Sequence, residues 1–234
     1  MERRLEPELL DELPAADPQA AGSRADLRRL NFIMGHAGIL SQAFQHHVAG
    51  KPVPPRPLRV VELGAGDGSL ALELARRWSA FGFTGEFTLI DRQNLLSPET
   101  ARAFAALNWS VQVAESEVFD WFEVPAQPAD VMFTNLFLHH FAEDRLRALL
   151  RLVASRTSLF LACEPRRATL ALTASQLLGL IGCNRVTRHD AVVSVRAGFV
   201  SGELSRLWPD NTGWKLGDLP AGLFSQCFTA QRHG

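Results

Sequence analysis

The run Val60-Val-Glu-Leu-Gly-Ala-Gly-Asp-Gly-Ser69 constrains this chain more than any other segment. It stands between an apolar, β-branched stretch and a segment with Leu70, Leu74 and Trp78 at helical spacing, so it joins a strand to a helix. Gly64, Gly66 and Gly68 permit a tight turn and let a ligand approach the backbone closely. The helix that follows offers that ligand free N–H groups and the positive end of its dipole. Asp91 ends the next apolar run, 23 residues beyond Gly68. A carboxylate there accepts hydrogen bonds from both hydroxyls of a ribose. In register within one βαβ unit, the two features point to an adenosine-containing ligand at the carboxyl edge of a sheet.

From Leu58 onward, apolar strands alternate with amphipathic helices. Strands are expected at 58–63, 87–90, 110–113, 131–134 and 158–163, and helices at 69–79, 98–107 and 143–154. Near-continuous apolar strands in this order form a parallel sheet covered on both faces. Residues 168–208 read as mostly helical, and 214–217 with 224–230 as a closing β pair. Upstream, residues 1–25 read as a mobile arm or a short helix, and Asp26 as the cap of a helix running to about Val48. Lys51–Pro57 contains four prolines and reads as a stiff linker. The expected division is an N-terminal arm and helical cap over 1–50 and a main domain over 58–234, with 166–209 a helical lid or substrate insertion.

Composition removes several function classes. A net charge of −1 leaves no global positive field, so nucleic acid is not an expected partner. The three cysteines, Cys163, Cys183 and Cys227, have neither zinc-site spacing nor a disulfide framework and read as buried thiols of a reducing, cytoplasmic setting. Residues 1–20 lack the apolar core of a signal peptide. The longest uncharged stretch, 168–184, has 17 residues, short of the roughly 20 a membrane span needs, so stable membrane insertion is not expected. Tyrosine is absent, which excludes a tyrosine base or nucleophile.

The Glu-x-Gly-x-Gly-x-Gly spacing of residues 62–68 differs from the dinucleotide fingerprint G-x-G-x-x-G and resembles motif I of class I S-adenosylmethionine-dependent methyltransferases. Leu89-Ile-Asp91 resembles that family's acidic strand end, and Ala114–Asp120 its acidic stretch after the third strand. Asp130–Phe141 resembles the fourth-strand motif of its small-molecule, ubiquinone/menaquinone-biosynthesis-like branch. The resemblance covers 58–165 by motif and 210–232 more loosely. It implies an α/β, doubly wound, Rossmann-like sheet of seven mostly parallel strands, with an antiparallel last strand and the helical N-terminal cap.

It also implies roles. Glu62 and the loop Gly64, Ala65, Gly66 and Gly68 would hold the methionine end of S-adenosylmethionine. Asp91 would bind the ribose, flanked by Arg92. Glu117, or less readily Glu115, would meet the adenine amino group, with Val118 or Phe119 against the ring. Asn135 and Leu136 would lie near the sulfonium. Asn135 is followed by Leu-Phe-Leu, unlike the amino-methylating DNA enzymes. Asp130 and Asn135 lie in the region of the magnesium-dependent catechol enzymes but form no Asp/Asp-Asn triad, so no metal is expected.

For an acceptor base, histidine is the natural type near neutrality. His139 and His140 follow the fourth strand, at the edge where ligands bind, and are the candidates; a structural role, capping or packing beneath the loop, competes. His189-Asp190 reads as a surface turn, His36 as helix surface, and Arg166-Arg167 as solvated loop charges, while His46-His47 could reach over the cleft. The stripe Leu170, Ala174, Leu177, Leu178 and Ile181 reads as packing onto the sheet, or else as the wall of an apolar acceptor pocket opposite the N-terminal helix. The reaction expected is methyl transfer to an oxygen, or an activated carbon, of a small apolar aromatic such as a phenol, quinol or polyketide. A cofactor-binding scaffold without activity and an NAD-dependent oxidoreductase are the competing readings, and the oligomeric state stays open, a homodimer included.

Overall fold

The computed structural model describes residues 1–14, 16–50, 52–209 and 212–233. Lys51, at the head of the expected linker, lies outside them, as do Asp210, Asn211 and Gly234 of the main domain.

The chain opens with an extended arm and a single turn, α1 (Leu9–Glu12). Asp17 then caps α2 (Pro18–Met34), accepting from the Gln19 N–H while Pro18 takes the first helical position. The expected helix from Asp26 therefore starts earlier. It is also broken: Gly35, at φ +71°, ends α2 and turns the chain into α3 (His36–Val48). Asp26 serves elsewhere, accepting from Asn184 N at 2.8 Å and from the Thr187 hydroxyl. Of the expected cap, α3 belongs to the core, because Leu40 and Phe44 are buried against the helix at 69–79 and the sheet.

The alternating region follows the sequence closely. β1 (Leu58–Leu63), α4 (Ser69–Ser79), β2 (Gly85–Asp91), α5 (Pro98–Ala106) and β3 (Trp109–Glu115) form the first half. A short α6 (Val118–Glu123) falls in the acidic stretch, where no helix was expected. Then come β4 (Ala129–Asn135), a 3₁₀ turn at Leu138–His140, α7 (Glu143–Arg156) and β5 (Thr157–Pro165). The lid region holds α8 (Thr169–Gln176), a second 3₁₀ turn at Leu178–Ile181, α9 (Arg185–Ala197) and α10 (Glu203–Leu207). β6 (Trp214–Ala221) and β7 (Ser225–Arg232) close the chain as a hairpin. The described residues build a seven-stranded sheet of order β3-β2-β1-β4-β5-β7-β6, parallel except for β7. The order reverses direction at β1, and the carboxyl ends of β1, β2 and β4 meet beside that switch point, where α/β sheets bind ligands.

Each face buries its own cluster. Phe44, Trp78, Phe87, Phe104, Trp109 and Phe133 fill one; Phe160, Trp208, Trp214 and Phe228 anchor the other beneath α7. Phe44 and Trp78 stack with centroids 4.3 Å apart. No helix among the described residues is long and apolar enough to cross a membrane.

His36 is a correction to the sequence reading. It is fully buried, not on the helix surface, with Nε2 2.9 Å from the Ser225 hydroxyl. Burial pushes its pKa down to about 4, against the opposing pull of Asn135 and Glu164. The native state thus keeps His36 neutral in a window where the unfolded chain takes up a proton. Stability is lost as pH falls from about 6.5 to about 4, by roughly 3 kcal/mol in all. His36→Gln should flatten that slope; urea unfolding midpoints measured from pH 4 to 7 check it.

Candidate functional site

The glycine-rich turn sits where the sequence put it. Gly64, Gly66 and Gly68 have φ values of +68°, +55° and +72°. Gly64 N and Ala65 N donate to Ile90 O, which ties the turn to the end of β2. Asp91 joins it from the same strand end, accepting from Gly66 N at 2.8 Å and from Gln93 N at 3.0 Å. A Cβ on Gly64 would collide with the Phe137 ring, whereas one on Gly66 would meet nothing within 4 Å. Gly64→Ala should therefore cost roughly 2–4 kcal/mol of stability, from overpacking plus a left-handed backbone. Gly66→Ala should cost about 1 kcal/mol, from the backbone alone. Paired denaturant titrations measure the difference.

Glu62 ends up nearly inaccessible beneath this turn. Burial, with Asp67 and Asp91 nearby, raises its pKa well above the usual carboxylate range. Its Oε2 is buried with no hydrogen-bond partner. A buried carboxyl group left in that state is poised for a cationic or hydrogen-bond-donating ligand. α2 roofs this region: Arg24, Leu27, Arg28 and Asn31 face Glu62, Gly64, Gly66 and Asn135 across a cavity of about 150 Å³. Arg28 pairs with Asp67 at 2.6 Å, and Asn135 Nδ2 donates to Asn31 Oδ1 at 3.4 Å. Sequence reasoning missed Arg24, Arg28 and Asn31, since nothing in the spacing of α2 tells which turn lies over the glycine loop.

A second cavity, of about 410 Å³, opens on the other side of the turn. Gly64, Gly66, Asp91, Arg92, Glu117, Val118 and Leu136 line it, as do His139 and His140. Of the sequence candidates, Glu115 and Phe119 are not among its walls; Phe119 lies under the Arg145 guanidinium instead. The N-terminal arm forms its roof through Glu8, Leu10 and Asp11. That arm is docked rather than loose. Arg3 donates to the carbonyls of Ala197, His139 and Phe141, and Asp190 accepts from Leu9 N and Leu10 N. Asp190 is thus a buried anchor within α9 and no part of a surface turn.

His139 lies almost wholly inside, with Nδ1 2.8 Å from Glu164 and Nε2 3.2 Å from Glu8. Burial opposes its charge, but the hydrogen bonds to Glu164 and Glu8 prevail and push its pKa up to about 9. The same contact overcomes burial at Glu8 and pulls it down to about 2. His140, by contrast, is held below its ordinary value by burial and by the His139 charge. Glu164 also accepts from Phe137 N and Leu138 N, so this fully buried carboxylate sets the turn that carries both histidines. Sequence reasoning passed over Glu164 and Glu8, which look like ordinary strand-end and arm acids. Arg167, expected in solvent, is buried in an ion pair with Glu203. His46 and His47 sit at the far end of α3 and line none of these cavities. Asp130 lies near the start of β4, at the opposite end of the strand from Asn135, and pairs with Arg56.

A third cavity, of about 360 Å³, lies between α2 and the lid. Leu30, Ile33 and Met34 form one wall; Ala171, Ala174, Leu177, Leu178 and Ile181 form the other. The lid stripe therefore does not pack on the sheet: Leu177 and Ile181 stay half exposed around the cavity. The charged residues lining it are Glu8 and Asp190; no lysine or arginine among the described residues does so. Leu27 and Leu136 line all three cavities, so the three meet there. Leu136 is one of two non-glycine residues described with positive φ, at +53°, held by its N–H to Cys163 O. Such strain persists where surrounding structure overdetermines it, often at functional sites.

Residues 60–157 match a family described as a methyltransferase domain. No curated relative matches the chain. Among solved structures, the plantazolicin methyltransferase BamL, in complex with a triazolic desmethylPZN analog and SAH, superimposes with a TM-score of 0.63 at 15% identity, over 94% of this chain and 93% of that one. The magnesium protoporphyrin IX methyltransferase of Synechocystis PCC 6803, with bound SAH, gives 0.54 at 18% identity, over 85% and 84%. The mitomycin 7-O-methyltransferase MmcR gives 0.60 at 19% identity; it covers 96% of this chain, which spans 60% of MmcR. At these identities the likeness is one of fold. The chain thus carries a methyltransferase-domain match at residues 60–157 and shares the fold of these methyltransferases.

Proposed function

We propose that this enzyme transfers a methyl group from S-adenosylmethionine to an oxygen, or an activated carbon, of a small, neutral, apolar aromatic held between α2 and the lid. The observation that carries this reading is the junction at Leu27 and Leu136, where two cavities beside the glycine turn meet a separate apolar one. The residues fit the cofactor. The unpartnered Glu62 carboxyl suits its ammonium group, and Arg24 or Arg28 its carboxylate. Asp91, with spare acceptor capacity on both oxygens, suits the ribose, with Arg92 alongside. Glu117 and Val118 line the outer end, for adenine. Asn135 lines the cavity under α2 and Leu136 stands at the junction, for the sulfonium end.

When bound, the cofactor supplies a methyl carbon already activated for displacement. What remains for the protein is to align an acceptor atom with it and keep water out, and positioning of this kind is worth many kcal/mol. The apolar walls do the second task. For the first, neither His139 nor His140 lines the acceptor cavity; Glu8 and Ser194 line both it and the cofactor cleft. Ser194 donates to Glu8, and His139 keeps Glu8 ionised. Glu8 is then the acceptor's orienting partner, taking a hydrogen bond from its hydroxyl, with His139 acting through Glu8.

Incubation with S-adenosylmethionine carrying a deuterated methyl group, and a panel of phenols and quinols, tests the reading by mass spectrometry. Labelled products are expected from neutral members. Carboxylate-bearing analogues should react at least ~100-fold more slowly, because the cavity presents acids and no cation (about 2.7 kcal/mol). Cofactor binding without turnover across the panel would favour the scaffold reading.

A further inference from the structure

The arm lays Glu8 and Asp11 against the turn that carries His139 and His140. A neutral imidazole has one N–H to give. With that proton on Nδ1, donated to Glu164, the Nε2 lone pair of His139 faces a carboxylate oxygen of Glu8 at 3.2 Å. Two buried lone pairs cannot face each other at that distance. A positive centre belongs between them, and either a proton or a metal ion meets the need.

A third group converges on the same point. The His140 ring lies 4.3 Å from that of His139, and one ligand atom each of Glu8, His139 and His140 fall within 4.8 Å of one another. A proton shared by His139 and Glu8 fills the gap in the metal-free protein; a metal ion taking its place would also use the convergent third group. We propose that Glu8, His139 and His140 form a site for a borderline first-row divalent cation such as zinc, iron(II) or cobalt(II).

The donor set supports this assignment. Two imidazoles and a carboxylate, with one side left open, are the ligands these ions take. All three residues line the cofactor cleft, so the open side faces it. Glu164 stands behind His139, accepting from Nδ1 and so fixing which nitrogen points inward, the usual outer partner of a metal-bound histidine. Asp11 lies 3.5 Å from His140 Nδ1, within reach as a fourth ligand after a small rotation. The charges also balance, since a dication would sit against Glu8 and Glu164, both buried or nearly so. Because Glu8 and Asp11 come from the arm and the histidines from the sheet edge, the ion would clamp the arm over the cleft. The site stands whatever the acceptor.

The test uses tag-free, full-length protein freed of metal with a chelator. Cobalt(II) titration is followed by visible absorption, zinc(II) by calorimetry, and both by thermal unfolding. One equivalent should bind, with the intense bands of a low-coordinate cobalt site and a raised melting temperature. Glu8→Gln and His140→Asn should each weaken zinc binding by roughly 100-fold or more, and Glu164→Gln by about 10–100-fold. His46→Asn with His47→Asn should change nothing. Zinc binding also slows arm cleavage by protease, and His140→Asn abolishes that protection. Zinc affinity weaker than about 1 mM (about −4.1 kcal/mol) overturns the proposal. So does binding that survives in Glu8→Gln and His140→Asn, or disappears with the His46/His47 pair.

Discussion

Asp91→Ala should reduce affinity for S-adenosylmethionine and S-adenosylhomocysteine by at least ~100-fold. The carboxylate already takes one N–H on each oxygen, from Gly66 and Gln93, and keeps lone pairs free toward the cleft. Two hydrogen bonds from a ribose to an ionised acceptor are worth roughly 1.5–3 kcal/mol each, or about two to four decades in Kd together. Part of the loss comes from the glycine turn, which loses its tie to β2 at Gly66. Asp91→Asn separates the two contributions, because the amide oxygen still accepts while the charge is gone. It should bind ten- to a hundredfold more weakly than wild type and melt close to it. Calorimetry with both ligands, and NAD as a control that should not bind, measures this. An Asp91→Ala variant within threefold of wild type would mean the ribose lies elsewhere.

Ala174→Phe is the complementary experiment. Ala174 faces the apolar cavity from α8 and lines neither cofactor cavity. A phenyl group there projects into this cavity of about 360 Å³ and competes with the acceptor for its space. Turnover of any accepted phenol or quinol should fall at least ~100-fold, while S-adenosylhomocysteine affinity stays within twofold, since Ala174 is away from the residues the two sites share. Initial rates of S-adenosylhomocysteine formation, paired with calorimetry, give both numbers. Loss of both activities together would mean that the lid and the cofactor site are one structure, and no change in either would empty the apolar cavity of its role.

How much of this was legible in the sequence depends on the range of the interactions. β1, the glycine turn and α4 were readable nearly to the residue, because apolar alternation, left-handed glycines and the Leu70–Trp78 stripe are local signals. The strand ends, and with them Asp91 and Asn135, follow from the same periodicity. The N-terminal region was misread where a single residue redirects the chain. Gly35 splits what periodicity joins, and Asp17 rather than Asp26 makes the cap. Residues 1–12 show no amphipathic pattern, since the arm is held by backbone hydrogen bonds to α9 and by polar contacts at Arg3, Glu8 and Asp190. Such contacts span more than a hundred residues and leave no periodic trace. His36 and Glu164 went unrecognised for the same reason: a histidine next to a glycine and a glutamate before a proline look ordinary until the fold buries them. The lid stripe was visible as a stripe with two readings, packing on the sheet or facing the N-terminal helix across a pocket; the choice of the second, α2 across a cavity, is a tertiary fact.

The central claim is that the cofactor's reactive end meets the acceptor at Leu27 and Leu136. A crystal structure of the complex with S-adenosylhomocysteine tests it most directly. The account predicts the amino group beside Glu62, the ribose on Asp91, and the sulfur at the Leu136 turn with an open path to the cavity between α2 and the lid. A sulfur walled off from that cavity, or a ligand bound away from the glycine turn, would contradict it.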